Sequence, residues 1–362
     1  MIIKKDKKYF FSIQYILFKY IWLWFMSILT IFILYILLLS FFSSDNQKIV
    51  SNEKYIITTT TMLNDLVLHL IGDVDLIENK YQKIENVKSF SLMGYGIDPH
   101  NYKTKLSDRK KIKKADLVIV NGLHLESKMI DSLKILSEED NSEKFISASS
   151  EINKKDIRID EETLQEDPHI WFSINLWQQV LKKIKKSIDN ILEEKDKIKL
   201  ESNFQLYNND LEELKTYFQK KISELNKKCN TLMLVTAHDA FSYLAYKNNV
   251  QFELRSIQGI STQTETSISD IDNLANELAQ KKVKAIFTES SISHKSLDSL
   301  REAVLNKGHN IKISEKELFS DSLGLDDNSF EHFYYNPNKR YKLSSYIGTF
   351  LHNIHIIEKE LS

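Results

Sequence analysis

"YIITTTTMLNDLVLHLIG", residues 55–72, decides the fold class. Its first half, 55–63, is a run of β-branched and apolar residues that reads as a buried strand. "NDLVLHLIG" then places its apolar residues at helical spacing and stops at Gly72. A strand that feeds a helix is the unit of a parallel sheet with crossover helices. "ADLVIVNG" (115–122) supplies another strand, after the basic helical stretch "SDRKKIKK", where Ser107 and Asp108 are suitable caps. Further strands are expected at 231–237 ("TLMLVTA"), 284–291 ("KAIFTESS") and 309–314 ("HNIKIS"), separated by helical patterns such as "ISDIDNLANELAQKK".

Between these two groups of strands the pattern changes. Trp177, Val180, Leu181, Ile184, Ile188, Ile191 and Leu192 recur at helical spacing, and Phe204, Tyr207, Leu211, Leu214, Phe218 and Ile222 mark a second helix. Neither glycine nor proline occurs between Pro168 and Gly259, so this stretch reads as a stiff connector. The expected fold is α/β: two parallel-sheet lobes joined by one long rigid helix. The expected divisions are 1–45 for a cytoplasmic tip and membrane anchor, 50–172 for the first lobe, 173–201 for the connecting helix and 202–362 for the second lobe.

The chain begins with lysines at 4, 5, 7, 8 and 19, followed by the uncharged stretch Tyr20 to Phe42. As a helix that stretch spans roughly 34 Å, enough to cross a bilayer. The lysines predict a cytoplasmic N-terminus and an exported remainder. A cleaved signal peptide competes with this reading, but its apolar region is usually about 7–15 residues, and "SFFSSD" puts phenylalanines where small residues precede a cut. An uncleaved anchor is favoured. No cysteine closes the apolar segment; Cys229 is the only one in the chain, so neither a lipidated cysteine there nor a disulfide is expected. With 49 Lys+Arg against 50 Asp+Glu, no net field or basic stripe points to nucleic acid.

Two of the three prolines stand in the tripeptide Asp-Pro-His, at 98–100 and 167–169. Proline fixes its own φ and biases the residue before it, so each tripeptide presents an imidazole from a stiff loop. His238, in "TAHDAF", lies just past the carboxyl end of a strand, where open α/β sheets bind ligands. Asp321, in "LFSDSLG", also follows a strand-like stretch. Three imidazoles and a carboxylate form a set suited to Zn²⁺. The equal intervals between the histidines read as coincidence, because no sequence repeat accompanies them.

With these residues in view, "LMGYGIDPHNYKTKLSDRKKIKKADLVIVNGLHLESKM" resembles the N-terminal lobe of the zinc/manganese solute-binding proteins of ABC transporters. "DPHIWFSINLW", "LVTAHDAFSYLA", "IQGISTQTETSISDI", "AIFTESSISHKSL" and "LFSDSLG" are similar to later blocks of that family, in the same order, over roughly residues 54 to 360. The resemblance implies metal held in a cleft between lobes by His100 and His169 from the first and His238 and Asp321 from the second. It implies a transported ion, Zn²⁺ favoured and Mn²⁺ the alternative, passed to an ABC permease with its cytoplasmic ATPase. A monomer is expected, tethered by the N-terminal helix with its binding domain on the extracytoplasmic side. Some manganese-binding relatives carry glutamate at the third position, where this chain has His238. Zinc-specific relatives often insert a histidine-rich loop before the second histidine, and "EINKKDIRIDEETLQE" contains none. The apolar helix without a cysteine departs from the family's usual lipid anchor.

Glu289 ends a strand facing the expected cleft and is a candidate to hold a ligating imidazole by its N–H, as is His124 in "GLHLE", for which a core position is favoured. His352 and His355 are expected on a surface helix, and His69, His294, His309 and His332 in structural or solvated places. "GYG" at 94–96 is read as a turn. Two other functions compete. A zinc hydrolase would keep three protein ligands and use Glu289 as base, with Asp321 released from the metal. A surface adhesin has no residue pattern to support it.

Overall fold

The computed structural model describes residues 3–44, 53–74, 80–139, 142–228, 232–246, 252–263, 266–326 and 341–361. Cys229 and His332 lie outside them. The chain divides into two compact units, Met1–Asn52 and Glu53–Ser362. The first holds helix α1 (Ile3–Ser44), in which Leu17–Leu37 is long and apolar enough to cross a membrane; its described side chains are exposed.

The second unit opens with β1 (Lys54–Thr58), α2 (Thr61–Ile71), β2 (Val87–Ser91), α3 (Leu106–Lys114), β3 (Leu117–Val120), α4 (Ile130–Glu139) and β4 (Phe145–Ser147). These strands form one parallel sheet in the order β2-β1-β3-β4, with Ile56 opposite both Ser89 and Leu117. Strand β1 stops five residues short of the expected 63. The Thr60 side chain accepts the Leu63 N–H at 3.4 Å and so starts the helix early. Gly72 ends α2 at φ 69°, and a Cβ there would lie 2.3 Å from the Gln82 carbonyl oxygen, so only glycine fits. In α3 the cap is Lys105 rather than Ser107 or Asp108. Asp108 acts from inside the first turn, accepting the Lys105 N–H at 2.8 Å.

The centre of the unit is α5 (Ile174–Asp189) and α6 (Glu194–Lys228). At 35 residues, α6 is about 52 Å long and leads into the second group of strands. Residues 173–201 thus comprise α5, a turn and the first turns of α6. Trp177, Val180 and Ile184 of α5 and Leu211, Leu214 and Phe218 of α6 are buried in one face each.

The second group runs β5 (Leu232–His238), β6 (Phe252–Gln258), α7 (Ile268–Lys281), β7 (Ala285–Ile286), α8 (Lys295–Asn306), β8 (Lys312–Ile313) and α9 (Tyr346–Leu361). Strand β5 pairs with β6 and β7 with β8, all parallel. The Phe287 N–H donates to the Val235 carbonyl at 2.8 Å and joins the pairs. The resulting order, β6-β5-β7-β8, repeats that of the first sheet although the sequences share no repeat. The strand expected at 309–314 reduces to two residues, and 284–291 continues past β7 only as a single bridge from Glu289 to Leu318.

One apolar core runs through both halves, taking Ile56 and Leu66 from the first, Trp177 and Tyr207 from the central helices, and Leu234 and Phe350 from the second. Helices α2 and α6 are pinned by a buried polar cluster. The Tyr207 hydroxyl donates to Asp65 Oδ2 at 2.6 Å, and His69 stacks on Tyr207 at 3.9 Å with its Nδ1 3.3 Å from the same carboxylate oxygen. Tyr207→Phe keeps the stack and strands a buried acceptor, so it is expected to lower stability by about 1–3 kcal/mol. Urea unfolding reads this, and an unchanged midpoint would contradict it.

Candidate metal centre

Both Asp-Pro-His tripeptides use the same local device. Proline has no N–H, so the first backbone donor available to the aspartate is that of the histidine. Asp98 Oδ1 accepts the His100 N–H at 2.8 Å, and Asp167 Oδ1 accepts the His169 N–H at 3.0 Å. Each turn is thereby closed, and its imidazole leaves a fixed backbone. His238 is the last residue of β5, and Asp321 follows the bridge that extends the strand after β7.

The four side chains expected from the sequence come together. Their ligand atoms all lie within 4.8 Å of one another, and all four residues are buried. Nε2 of His100 is 3.3 Å from Nε2 of His169, Nε2 of His169 is 3.6 Å from Asp321 Oδ1, and Nε2 of His238 is 3.3 Å from Asp321 Oδ2. A tetrahedral ion with bonds of about 2.0–2.1 Å sets its ligands about 3.3–3.4 Å apart. The His100–His169 and His238–Asp321 contacts have that length, and Asp321 turns a different oxygen to each of His169 and His238. Among the described residues, Nε2 of His238 and Oδ1 of Asp321 have no hydrogen-bond partner although they are buried, a costly arrangement that a cation at the shared centre would relieve.

What turns the rings inward is chemistry behind them. Nδ1 of His169 contacts Asp167 Oδ1 at 2.7 Å, which makes Nδ1 the protonated nitrogen and leaves the Nε2 lone pair for the centre. Nδ1 of His238 lies 2.6 Å from Glu289 Oε2, an ion-pair contact without the alignment of a hydrogen bond. Glu289 Oε1 accepts the backbone N–H of Ala237 at 2.7 Å and of His238 at 2.9 Å. One carboxylate thus fixes both the ring and the strand end that carries it.

The electrostatics follow from burial and these carboxylates. Burial pushes His100 down to about 3; Asp321 opposes this, and the His169 and His238 rings add to it. Burial would also lower His238, but Glu289 and Asp321 outweigh it and hold the ring well above its ordinary range. For Asp321, burial would raise the carboxyl, yet the surrounding imidazoles, His238 foremost, keep it below the usual carboxylate range.

Among the other candidates, Glu289 lies against Nδ1 of His238. His124 does not sit behind a ring. It is exposed, at φ 62°, beside a cleft of about 580 Å³ that is also lined by His100, Pro168 and Gln263. His352 is buried rather than on a surface, its Nε2 3.0 Å from the Glu317 carbonyl oxygen. His69 is buried, His294 contacts Glu317, and His309 contacts the Val283 carbonyl. The hydrolase alternative fails on position. A general base must come within about 2.6–3.2 Å of the water it activates. Glu289 is on the Nδ1 side of His238, with the ring between it and the centre, and its oxygens are already engaged. The residues that sequence reading missed are Asp167 as a ring-holding carboxylate, with Arg158, Asp239 and Tyr243 around it. The only signal was an acid two positions before a ligand candidate.

Residues 56–359 match the family described as zinc-uptake complex component A, periplasmic. The chain is 36% identical over 277 residues to the manganese-binding lipoprotein MntA of Bacillus subtilis (strain 168), covering 76% of this chain and 83% of that protein. It is also 36% identical over 298 residues to the zinc-binding protein TroA of Treponema pallidum (strain Nichols), covering 82% and 89%. The solved structure of periplasmic zinc binding protein TroA from Treponema pallidum superposes with a TM-score of 0.71 at 32% identity, over 86% of this chain and 99% of that one. The chain belongs to the zinc-uptake component A family of periplasmic metal-binding proteins.

Proposed function

We propose that this protein captures a divalent transition metal outside the cytoplasmic membrane and delivers it to an ABC import permease driven by a cytoplasmic ATPase. His100, His169, His238 and Asp321 are the ligands, and the ion is cargo rather than a catalyst. The observation that carries this reading is the convergence of four buried ligand atoms, two of them without a hydrogen-bond partner among the described residues. In this reading residues 50–172 and 202–362 are the two lobes, linked through 173–201, and the ion lies between them. The protein acts as a monomer, tethered by the apolar stretch within α1 with the binding unit on the extracytoplasmic side.

Zinc is the favoured cargo. Relatives of equal identity are named for manganese and for zinc, so ancestry does not choose between them. Three imidazoles beside one carboxylate favour Zn²⁺, while Mn²⁺ prefers oxygen-rich, higher coordination and would use both oxygens of Asp321. Metal analysis of the protein purified from its own source, with growth rescue by Zn²⁺ or Mn²⁺ after deletion of the gene, tests the function. The expected result is one bound zinc and rescue by zinc. Uptake that survives alanine at any two of the four ligands would overturn the proposal.

Two further outcomes follow from the groups behind the rings. Glu289→Gln retains the acceptor for the two backbone N–H groups but loses the charge on His238 Nδ1, so metal affinity should fall about 10–100-fold. Competition with a chelator measures it, and an unchanged affinity would show that this contact does not matter. Because His238 is held above its ordinary range, it keeps its proton to higher pH than a free imidazole, and metal must displace that proton. Affinity should therefore keep rising with pH beyond about 6.5, the ordinary imidazole value, and fall as pH is lowered. Calorimetry in buffers of different ionisation enthalpy should detect proton release on metal binding. No dependence on buffer would count against it.

A further inference from the structure

The loop after β4 is stitched to the turn after β5 at a single side chain. Arg158 Nη1 lies 2.9 Å from Asp167 Oδ2, and its Nη2 lies 3.0 Å from Asp239 Oδ2. Asp167 is the carboxylate on His169 Nδ1, and Asp239 is the residue directly after His238. The Arg158 side chain is 19% exposed, Asp239 is 15% and Asp167 is fully buried, so the guanidinium is largely removed from solvent. The neighbouring backbone doubles the stitch. The Arg158 N–H donates to the Tyr243 hydroxyl at 3.0 Å, and that hydroxyl donates to the Asp167 carbonyl at 3.0 Å. The Ser242 hydroxyl holds the other oxygen of Asp239 at 2.5 Å.

We infer that Arg158 is a two-ended positioning residue that spans the halves of the site, ties the support of His169 to that of His238, and thereby sets how fast a captured ion is released. The inference rests on the metal-capture reading above. A guanidinium is suited to this task because its planar fork can address two carboxylates at once, whereas an ammonium is a single point. Any motion that parts His169 from His238 must stretch the Asp167–Arg158–Asp239 bridge. Such partly buried charge pairs act mainly on dissociation, not on encounter. The ion never touches Arg158, so the residue acts only through the carboxylates it holds.

The test is stopped-flow release of Zn²⁺ into excess chelator, on the full chain in detergent, for wild type, Arg158→Met, Arg158→Lys and Asp239→Asn. Arg158→Met should raise the dissociation rate about tenfold or more. Its association rate should stay within about twofold, a split that general loosening of the fold would not give. Arg158→Lys should recover only part of the loss, and Asp239→Asn should add nothing in the Arg158→Met background. Unchanged release from Arg158→Met, or complete recovery by lysine, overturns the inference. Should Arg158→Met fail to fold, Asp239→Asn decides alone: faster release supports the bridge and unchanged release overturns it. A wild-type chain that binds no zinc would sink the metal-capture reading itself, a result distinct from any of these.

Discussion

Two buried carboxylates behind two imidazoles, Asp167 on His169 and Glu289 on His238, are the constraint on which the site depends. An acid on Nδ1 holds a proton at that nitrogen, so Nε2 is the one left to bind an ion once any second proton has gone. In both rings that nitrogen is turned towards Asp321, with distances of 3.6 and 3.3 Å. Without the acids the rings could rotate or change tautomer, and the four ligand atoms would converge only part of the time. A preorganised cage avoids that ordering cost when an ion arrives.

The carboxylates can do this only because the backbone beneath them is fixed. Each Asp-Pro-His closes on its own aspartate, and Glu289 clamps the end of β5 through two N–H groups. Behind these, α5 and α6 fill one apolar core shared by both sheets. The Trp171 indole N–H donates to the Ser320 carbonyl at 2.8 Å, one residue from Asp321. The Leu323 N–H donates to the Thr61 hydroxyl at 2.9 Å, across the same divide. Release of the cargo therefore need not involve wide opening. A shift of an ångström or so in these cross-contacts already lengthens metal bonds of about 2.0–2.2 Å beyond use.

The sequence carried the fold class and the four converging side chains for separate reasons. Helices announced themselves by period, since Trp177 to Ile188 and Leu211 to Phe218 each bury one stripe. The ligands were legible because stiff Asp-Pro-His turns and a histidine at a strand end are local features. Short strands were not: β7 and β8 have two residues each, too few for a pattern, and their pairing is a tertiary matter. The place of His352 was not legible either, because i, i+3 spacing says nothing about a helix buried on most of its sides. Asp167 was read as turn chemistry alone. Its second role depends on Arg158, nine residues before it, and on Asp239, far away in the chain.

The central claim is a coordination shell, and X-ray absorption at the zinc edge reads that shell directly. The account predicts a four-coordinate site for the zinc-loaded full chain, with bonds of about 2.0–2.1 Å and the multiple-scattering signature of three imidazoles beside one oxygen. A six-coordinate oxygen shell, or one with a single imidazole, would contradict it.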